Sequence, residues 1–368
     1  MAEHVMEDQF PSESEIMLYG QHEYVARVQT YLERLRPDLN LRVAEINSVS
    51  EEIDASEFDM AALDDNLKDY SFTSIILVCL PSKWQLDAQI HLKGMGFENL
   101  CIYDAAMDNR LKVDFFKSVY AEQGKPFVLL ADMPAEHESR HCSLTVYMAR
   151  CVVDKPLSTE PVLHKCVVPI QVGAALTDKR IAELTDDTGD NISDRNRRYS
   201  ETTALYWMWK NEKSDWLGLC HYRRLFVDLD GIADKLQRVD VDGLLPLPTL
   251  CEHSVFDDYL LKHIPTVWKP MMDVLREFSP EYHEVAGQIF KGCVFYASNM
   301  FILRHEVLDD LCKWMFPIVM EVERRVGELK DAYYNRYAGF VTERLITLYF
   351  IYNKRKWRIA HVKKEFIG

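Results

Sequence analysis

The first hundred residues alternate short apolar runs with stretches of helical spacing. Residues 15–19 (Glu-Ile-Met-Leu-Tyr) form a brief apolar run ending at Gly20, and apolar side chains then recur at Val25, Val28, Tyr31, Leu32 and Leu35. That recurrence is the rhythm of an amphipathic helix. Residues 41–46 predict a second strand. Residues 74–80 (Ser-Ile-Ile-Leu-Val-Cys-Leu) are almost continuously aliphatic, as a strand buried on both faces of a parallel sheet must be. A helix over 88–95, closing at Gly96, and a strand over 100–103 follow. Strands separated by helix-length segments predict βαβ crossovers and a small Rossmann-like parallel sheet. Residues 104–138 read as a less regular connection containing Gly124, Pro126 and Pro134, and the polar run over 134–141 reads as a linker.

Beyond it the pattern starts again, with strands expected over 144–149, 167–172, 216–220, 244–247 and 299–303. A helix over 199–210 carries Thr202, Leu205, Tyr206 and Trp209 on one face, and such an aromatic stripe reads as core rather than as a sugar-stacking surface. Another helix over 308–322 holds Pro317, where a kink is expected. The fold class is α/β: a Rossmann-like domain over residues 1–140 and a second α/β domain over 141–368.

A chain of 368 residues fits that division into two domains. The net charge of −15 repels a phosphate backbone and leaves nucleic acid no general footprint. Nine cysteines, an odd number without any CxxC, fit free thiols in a reducing compartment. The pairs His141–Cys142, His164–Cys166, Cys220–His221 and Cys251–His253 lack the spacing of a structural zinc site. The acidic, polar N-terminus is unlike a signal peptide. No apolar run approaches the roughly 20 residues that span a bilayer. A cytoplasmic protein without a transmembrane segment is expected, with room for peripheral contact at the inner face of the membrane.

Where does chemistry lie? The turn after the first strand, Gly20-Gln-His-Glu-Tyr24, has one glycine where a dinucleotide fingerprint needs three, which disfavours an NAD-linked oxidoreductase. The segment Leu184-Thr-Asp-Asp-Thr-Gly-Asp-Asn-Ile-Ser193 gathers Asp186, Asp187, Asp190 and Asn191. So many charges are not expected in a core; the segment is either a solvated turn or a pocket-edge loop. His221-Tyr-Arg-Arg224 sits at the carboxyl end of a strand, where ligands of open α/β sheets collect. Arg223 and Arg224 have the fork geometry that pairs with phosphate oxygens; an ion pair with nearby aspartates is the alternative. Tyr259 and His263 lie four apart on an expected helix, and Asn299 opens a strand. Glu343 and Arg344 are adjacent, so at least one of them is expected to face solvent, a partner or a pocket.

Several of these segments together resemble the DUF4422 family of bacterial glycosyltransferases, associated with capsular and other surface polysaccharides. The likeness runs from about residue 144 to the C-terminus. It rests on Pro169-Ile-Gln-Val-Gly173, the 186–193 segment, Glu201-Thr-Thr-Ala-Leu-Tyr-Trp-Met-Trp-Lys-Asn211, Gly218-Leu-Cys-His-Tyr-Arg-Arg224, Asn299-Met-Phe-Ile302, Trp314-Met-Phe-Pro-Ile318 and Gly339-Phe-Val-Thr-Glu-Arg-Leu345. The resemblance implies a GT-A-like domain transferring sugar from a nucleoside diphosphate sugar, with a UDP-sugar the leading donor, to a lipid-linked glycan acceptor. In that reading Asp186, Asp187, Asp190 and Asn191 contact nucleoside, ribose or metal. His221, Arg223 and Arg224 stabilise the diphosphate, and Asn299, Arg344, Tyr259 and His263 meet donor sugar, acceptor or leaving phosphate. Glu343 is the carboxylate for acid/base work. Asp-x-Asp, expected at the strand end to hold Mn²⁺ or Mg²⁺, occurs only as Asp228-Leu-Asp230, further along. Either that displaced pair holds the ion or the cations at 221–224 replace it. A non-catalytic sugar-nucleotide or glycan binding protein of an assembly complex is the competing reading.

Overall fold

The computed structural model describes residues 6–46, 63, 67, 70–157 and 159–367. They form two compact units, one reaching Phe127 and the other spanning Val128–Ile367. The segment 128–140, counted above with the first domain, belongs to the second unit: Leu130 and Met133 are buried in its core.

In the first unit, strands β1 (Glu15–Gln21), β2 (Asn40–Ile46), β3 (Ile75–Cys79) and β4 (Leu100–Ile102) make a parallel sheet in the order β2-β1-β3-β4. Helices His22–Leu35, Ser82–Gly94 and Ala105–Glu122 accompany it. The first buries Val25, Val28, Tyr31, Leu32 and Leu35, the face its spacing predicted. Gly20 is required by close strand packing, since a Cβ there would lie 2.0 Å from the carbonyl oxygen of Cys79. The irregular connection expected after residue 104 is instead an 18-residue helix. Asp104 caps it by accepting from the Met107 amide at 2.8 Å, and Met107, Leu111 and Phe115 repeat every fourth residue along its buried side.

The second unit is built on β5 (Leu144–Arg150), β6 (Val167–Gln171), β7 (Leu184–Thr185), β8 (Trp216–His221), β9 (Arg224–Phe226), β10 (Gly243–Pro246), β11 (Thr249–Leu250), β12 (Val294–Phe295), β13 (Phe301–Arg304), β14 (Ile359–Val362) and β15 (Lys364–Phe366). The main sheet runs β14-β10-β13-β8-β5-β6-β7. Its strands are parallel except β13, which is antiparallel to both neighbours. That reversal matters. The amino end of β13 lies beside the carboxyl end of β8, so residues 298–299 meet His221. A short antiparallel strand, β9, folds back from β8 and pairs with β15.

One face of this sheet is covered by helices Thr202–Asn211, Trp268–Phe278, Pro280–Phe290, His305–Val326 and Tyr337–Tyr352, around one large apolar cluster. Helix Tyr337–Tyr352 buries twelve of its sixteen residues, which is why it shows no amphipathic rhythm: a helix enclosed on all sides has no polar face. The Thr202–Asn211 helix buries Thr202 and Leu205, and Tyr206 and Trp209 pack against Phe316, so the aromatic stripe is core as expected. Helix His305–Val326 runs unbroken through Pro317, which lies on its exposed side.

Candidate functional site

The carboxyl ends of β6, β7, β5 and β8 carry two polar groupings that differ in kind. The first surrounds Asp186. Gly173, just past β6, has φ +67, and a Cβ there would lie 2.7 Å from the Asn196 side chain. Asp186 is fully buried. Its carboxylate accepts from the amides of Gly173 and Ala174 at 2.9 and 3.1 Å and from the hydroxyls of Ser193 and Thr203 at 2.5 and 2.6 Å. The expectation that this segment stays out of the core therefore fails at Asp186. Four donors remove the cost of burying its charge, and the residue staples the turn after β6 to the helix start.

The rest of the acidic segment is held by its own surroundings. Asp187 accepts from Thr185 at 2.5 Å and pairs with Arg180 at 3.2 Å. Asp190 accepts from the Tyr206 hydroxyl at 3.2 Å. Asn191 donates to the Gly189 carbonyl and accepts from the Ser193 amide, the local side-chain-to-backbone bonding typical of Asn in a turn.

The second grouping connects His221, Asn299, Glu343, Arg344, Tyr259 and His263, six of the residues singled out in the sequence. Ser298 and Asn299 both have left-handed backbones, φ +79 and +48, a conformation that costs a non-glycine residue about 1–3 kcal/mol. Three side chains hold them there. His221 donates from Nε2 to the Ser298 carbonyl at 2.5 Å, Glu343 accepts from the Ser298 amide at 2.6 Å, and the Asn299 amide donates to Glu201 at 2.6 Å. The other Glu343 oxygen takes Arg344 at 2.8 Å. Arg344 is almost wholly buried, pairs also with Asp258 at 3.2 Å, and lies between the rings of Tyr259 and Phe295 at 5.0 and 4.5 Å. His263, immediately after the helix Val255–Lys262, contacts Tyr259 and stacks on Phe340 at 3.8 Å. Glu343 and Arg344 thus turn inward together, each neutralising the other, with Glu343 the more exposed of the two.

The electrostatics divide the two glutamates. Burial works against the charge of Glu201, but His221, the Asn299 amide and Arg336 outweigh it and hold the carboxyl below its usual range. Burial raises Glu343, reinforced by the nearby Glu201 and only partly opposed by Arg344, the Ser298 amide and Arg224. Burial pushes His221 down to about 4, more than Glu201 lifts it, so at neutral pH the imidazole is uncharged and donates through Nε2. Four buried polar atoms in this group, Asn299 Oδ1, Tyr259 Oη, His263 Nδ1 and Arg344 Nε, have no hydrogen-bond partner among the described residues. Such a concentration of unsatisfied groups marks a place where water or a ligand completes the network.

Cations border it. Arg224, at the start of β9, makes no ion pair among the described residues, stacks on Phe366 at 5.5 Å, and is felt electrostatically by both His221 and Glu343. Arg223, in the turn, instead donates to the Ile367 carbonyl at 3.3 Å. Arg336 is exposed and donates to Ser200 at 3.0 Å. Asp228 and Asp230 do not converge on a cation. Asp228 caps the helix Leu229–Leu236 through the Gly231 amide, and Asp230 pairs with His164 at 2.9 Å. Among the described residues no group of three His, Cys, Asp or Glu side chains is arranged to hold a metal. Each carboxylate of the Asp-x-Asp pair thus has a protein partner of its own.

Sequence reasoning passed over Glu201, Ser298 and Arg336. Glu201 stood in a quoted motif, directly before a helix rich in threonine, and its position at a helix start was the available signal. Nothing in the sequence marks the backbone of Ser298.

No curated protein matches the chain. Among solved structures, the apo form of WbbM, described as a bifunctional glycosyltransferase, aligns with a TM-score of 0.53 and 24% identity, over 61% of this chain and 45% of that one. The chain spans less than half of WbbM, and the likeness is one of fold. The family model described as a domain of unknown function, DUF4422, matches residues 154–354, more than half of the chain, and the chain belongs to that family.

Proposed function

We propose that the second unit is a glycosyltransferase that moves a sugar from a nucleoside diphosphate sugar, with a UDP-sugar the leading donor, to a lipid-linked surface glycan. The observation that carries this reading is the pair Glu201 and Glu343, joined through the Ser298–Asn299 turn at the strand ends and driven in opposite directions by their surroundings. Two carboxylates so separated are suited to different roles. Glu343 accepts the proton of the acceptor hydroxyl as that oxygen bonds to the anomeric carbon. The bond from that carbon to the diphosphate breaks, and the nucleoside diphosphate leaves with its electron pair. Arg224 and Arg336 face the charge developing on the leaving group, while ionised Glu201 stabilises positive charge on the sugar. The WbbM likeness supports a fold able to host this chemistry. No helix among the described residues is long and apolar enough to cross a membrane, so a lipid-linked acceptor would be met at the membrane surface, on the cytoplasmic side in this reading.

The test is donor hydrolysis and transfer with a panel of UDP-, GDP-, CMP- and dTDP-sugars. Glu343→Gln keeps the shape of the site and removes the base, so kcat should fall about 10²–10⁴-fold with donor KM little changed. Because the base must be ionised and its pKa is raised, activity should decline on the acid side at a pH above the usual carboxylate range. Nucleotide-induced thermal stabilisation without turnover on any donor would instead establish a binding protein.

A further inference from the structure

The His164–Cys166 pair, separated by one residue, is unused by the chemistry above, and the structure gives it a third member. The His164 carbonyl accepts from the Val167 amide at 2.8 Å, closing a tight turn ahead of β6. Across this turn the Cys166 sulfur lies 2.9 Å from His164 Nδ1, and His164 Nε2 lies 2.9 Å from an Asp230 oxygen. A thiol, an imidazole and a carboxylate are thus in contact, Nδ1 accepting also from the Cys166 amide at 3.3 Å and Nε2 facing Asp230. This is the relation of nucleophile, base and orienting group that activates a weak nucleophile. His164 and Asp230, though not Cys166 itself, line a cavity of about 530 Å³ whose walls include Leu163, Val167, Leu225 and Phe226. Its acidic groups are Asp228, Asp230 and Glu365, against the single cation of Lys165. Such a lining repels anions and admits an uncharged, partly apolar body. Burial raises the Cys166 thiol, so at neutral pH it needs a base to react, and His164 is in place.

We propose that Cys166 is a nucleophilic thiol that takes an acyl group from an uncharged ester or thioester, with His164 as its base and Asp230 positioning His164. The sulfur bonds to the acyl carbon and the acyl–oxygen or acyl–sulfur bond breaks. The thiol proton passes to His164 Nδ1 and from there to the leaving alcohol or thiol, so no further reactant is needed. Asp230 is largely exposed, and its contribution is the smaller one.

The probes are p-nitrophenyl acetate and p-nitrophenyl butyrate on the full chain, followed by nitrophenolate release and by peptide mapping of the acylated cysteines. Butyryl transfer to Cys166 should be at least about tenfold faster than to the other half-buried thiols, Cys101, Cys142, Cys151 and Cys293. Relative to free cysteine, the butyrate ester should react faster than the acetate. His164→Gln should slow labelling of Cys166 about 100-fold, within the range of general-base assistance, and Asp230→Asn a few-fold. Equal labelling of all five thiols, or an unchanged rate in His164→Gln, overturns the proposal. If the His164 variant does not fold, competition among the five thiols in the unaltered chain still decides.

Discussion

The acidic segment at 186–191 and the grouping around Ser298–Asn299 stand at the same edge of the same sheet, and they invert what composition suggests. The first is dense in charge, yet its most buried member has all its bonding met by four protein donors. The second draws its residues from distant parts of the chain, yet holds four buried atoms unsatisfied among the described residues and two glutamates in opposed environments. A completed hydrogen-bond set is the mark of a structural carboxylate. An incomplete one, next to an Arg224 that makes no ion pair among the described residues, leaves polar groups that water or a ligand can satisfy. Charge density along a sequence locates neither.

The sharpest way to break this comparison is Asp186→Ala. Removing that carboxylate orphans two amides, each worth about 1–3 kcal/mol when buried unsatisfied, and takes an acceptor from the Ser193 and Thr203 hydroxyls, which keep their bonds to Ala175 and to Ser200 and Asn196. Loss of about 4 kcal/mol or more is expected, a fall of about 10 °C in the thermal midpoint for a unit of this size. A variant of unchanged stability would remove the structural assignment. Acidification should have an intermediate effect, confined to the second grouping. The folded pKa of His221, about 4, lies below its ordinary 6.5. The stability that this neutral histidine contributes is therefore complete above pH 6.5 and lost as the pH falls towards 4. Amide exchange of Ser298 and Asn299, corrected for the intrinsic pH dependence, should accelerate through that window more than that of Gly173 and Ala174. Equal acceleration at both places would show that the two groupings are not distinct. Asp190→Ala should have the smallest effect, within about 0.5 kcal/mol for an exposed surface side chain, and should leave turnover near that of the parent chain. A large loss of donor affinity would return the acidic loop to the candidate site.

The strands were legible where residues alternate with clear punctuation. The 74–80 run, the helix ending at Leu35 and the strand leading to His221 all lie where apolar continuity or spacing placed them. Helix Ala105–Glu122 was passed over because Gly124 and Pro126 beyond it drew attention away from the Met107, Leu111 and Phe115 stripe. His221, Asn299, Glu343, Arg344, Tyr259 and His263 were each visible as single residues. Their assembly was not, because it depends on one reversed strand, β13, which brings residue 298 to the end of β8. Glu201 escaped because a glutamate before a helix has an ordinary explanation in the helix dipole, and only burial beside Asn299 distinguishes it.

The Ser298 side chain plays no part in these contacts; its peptide groups do. One offers its N–H to an acid and the other its carbonyl to an imidazole. A mutational scan would therefore find position 298 tolerant of many unbranched side chains, and intolerant of β-branched ones, which disfavour a positive φ, and of proline, which also lacks the N–H. The centre of the site would then look like one of its least informative residues, because what it contributes is a dihedral angle.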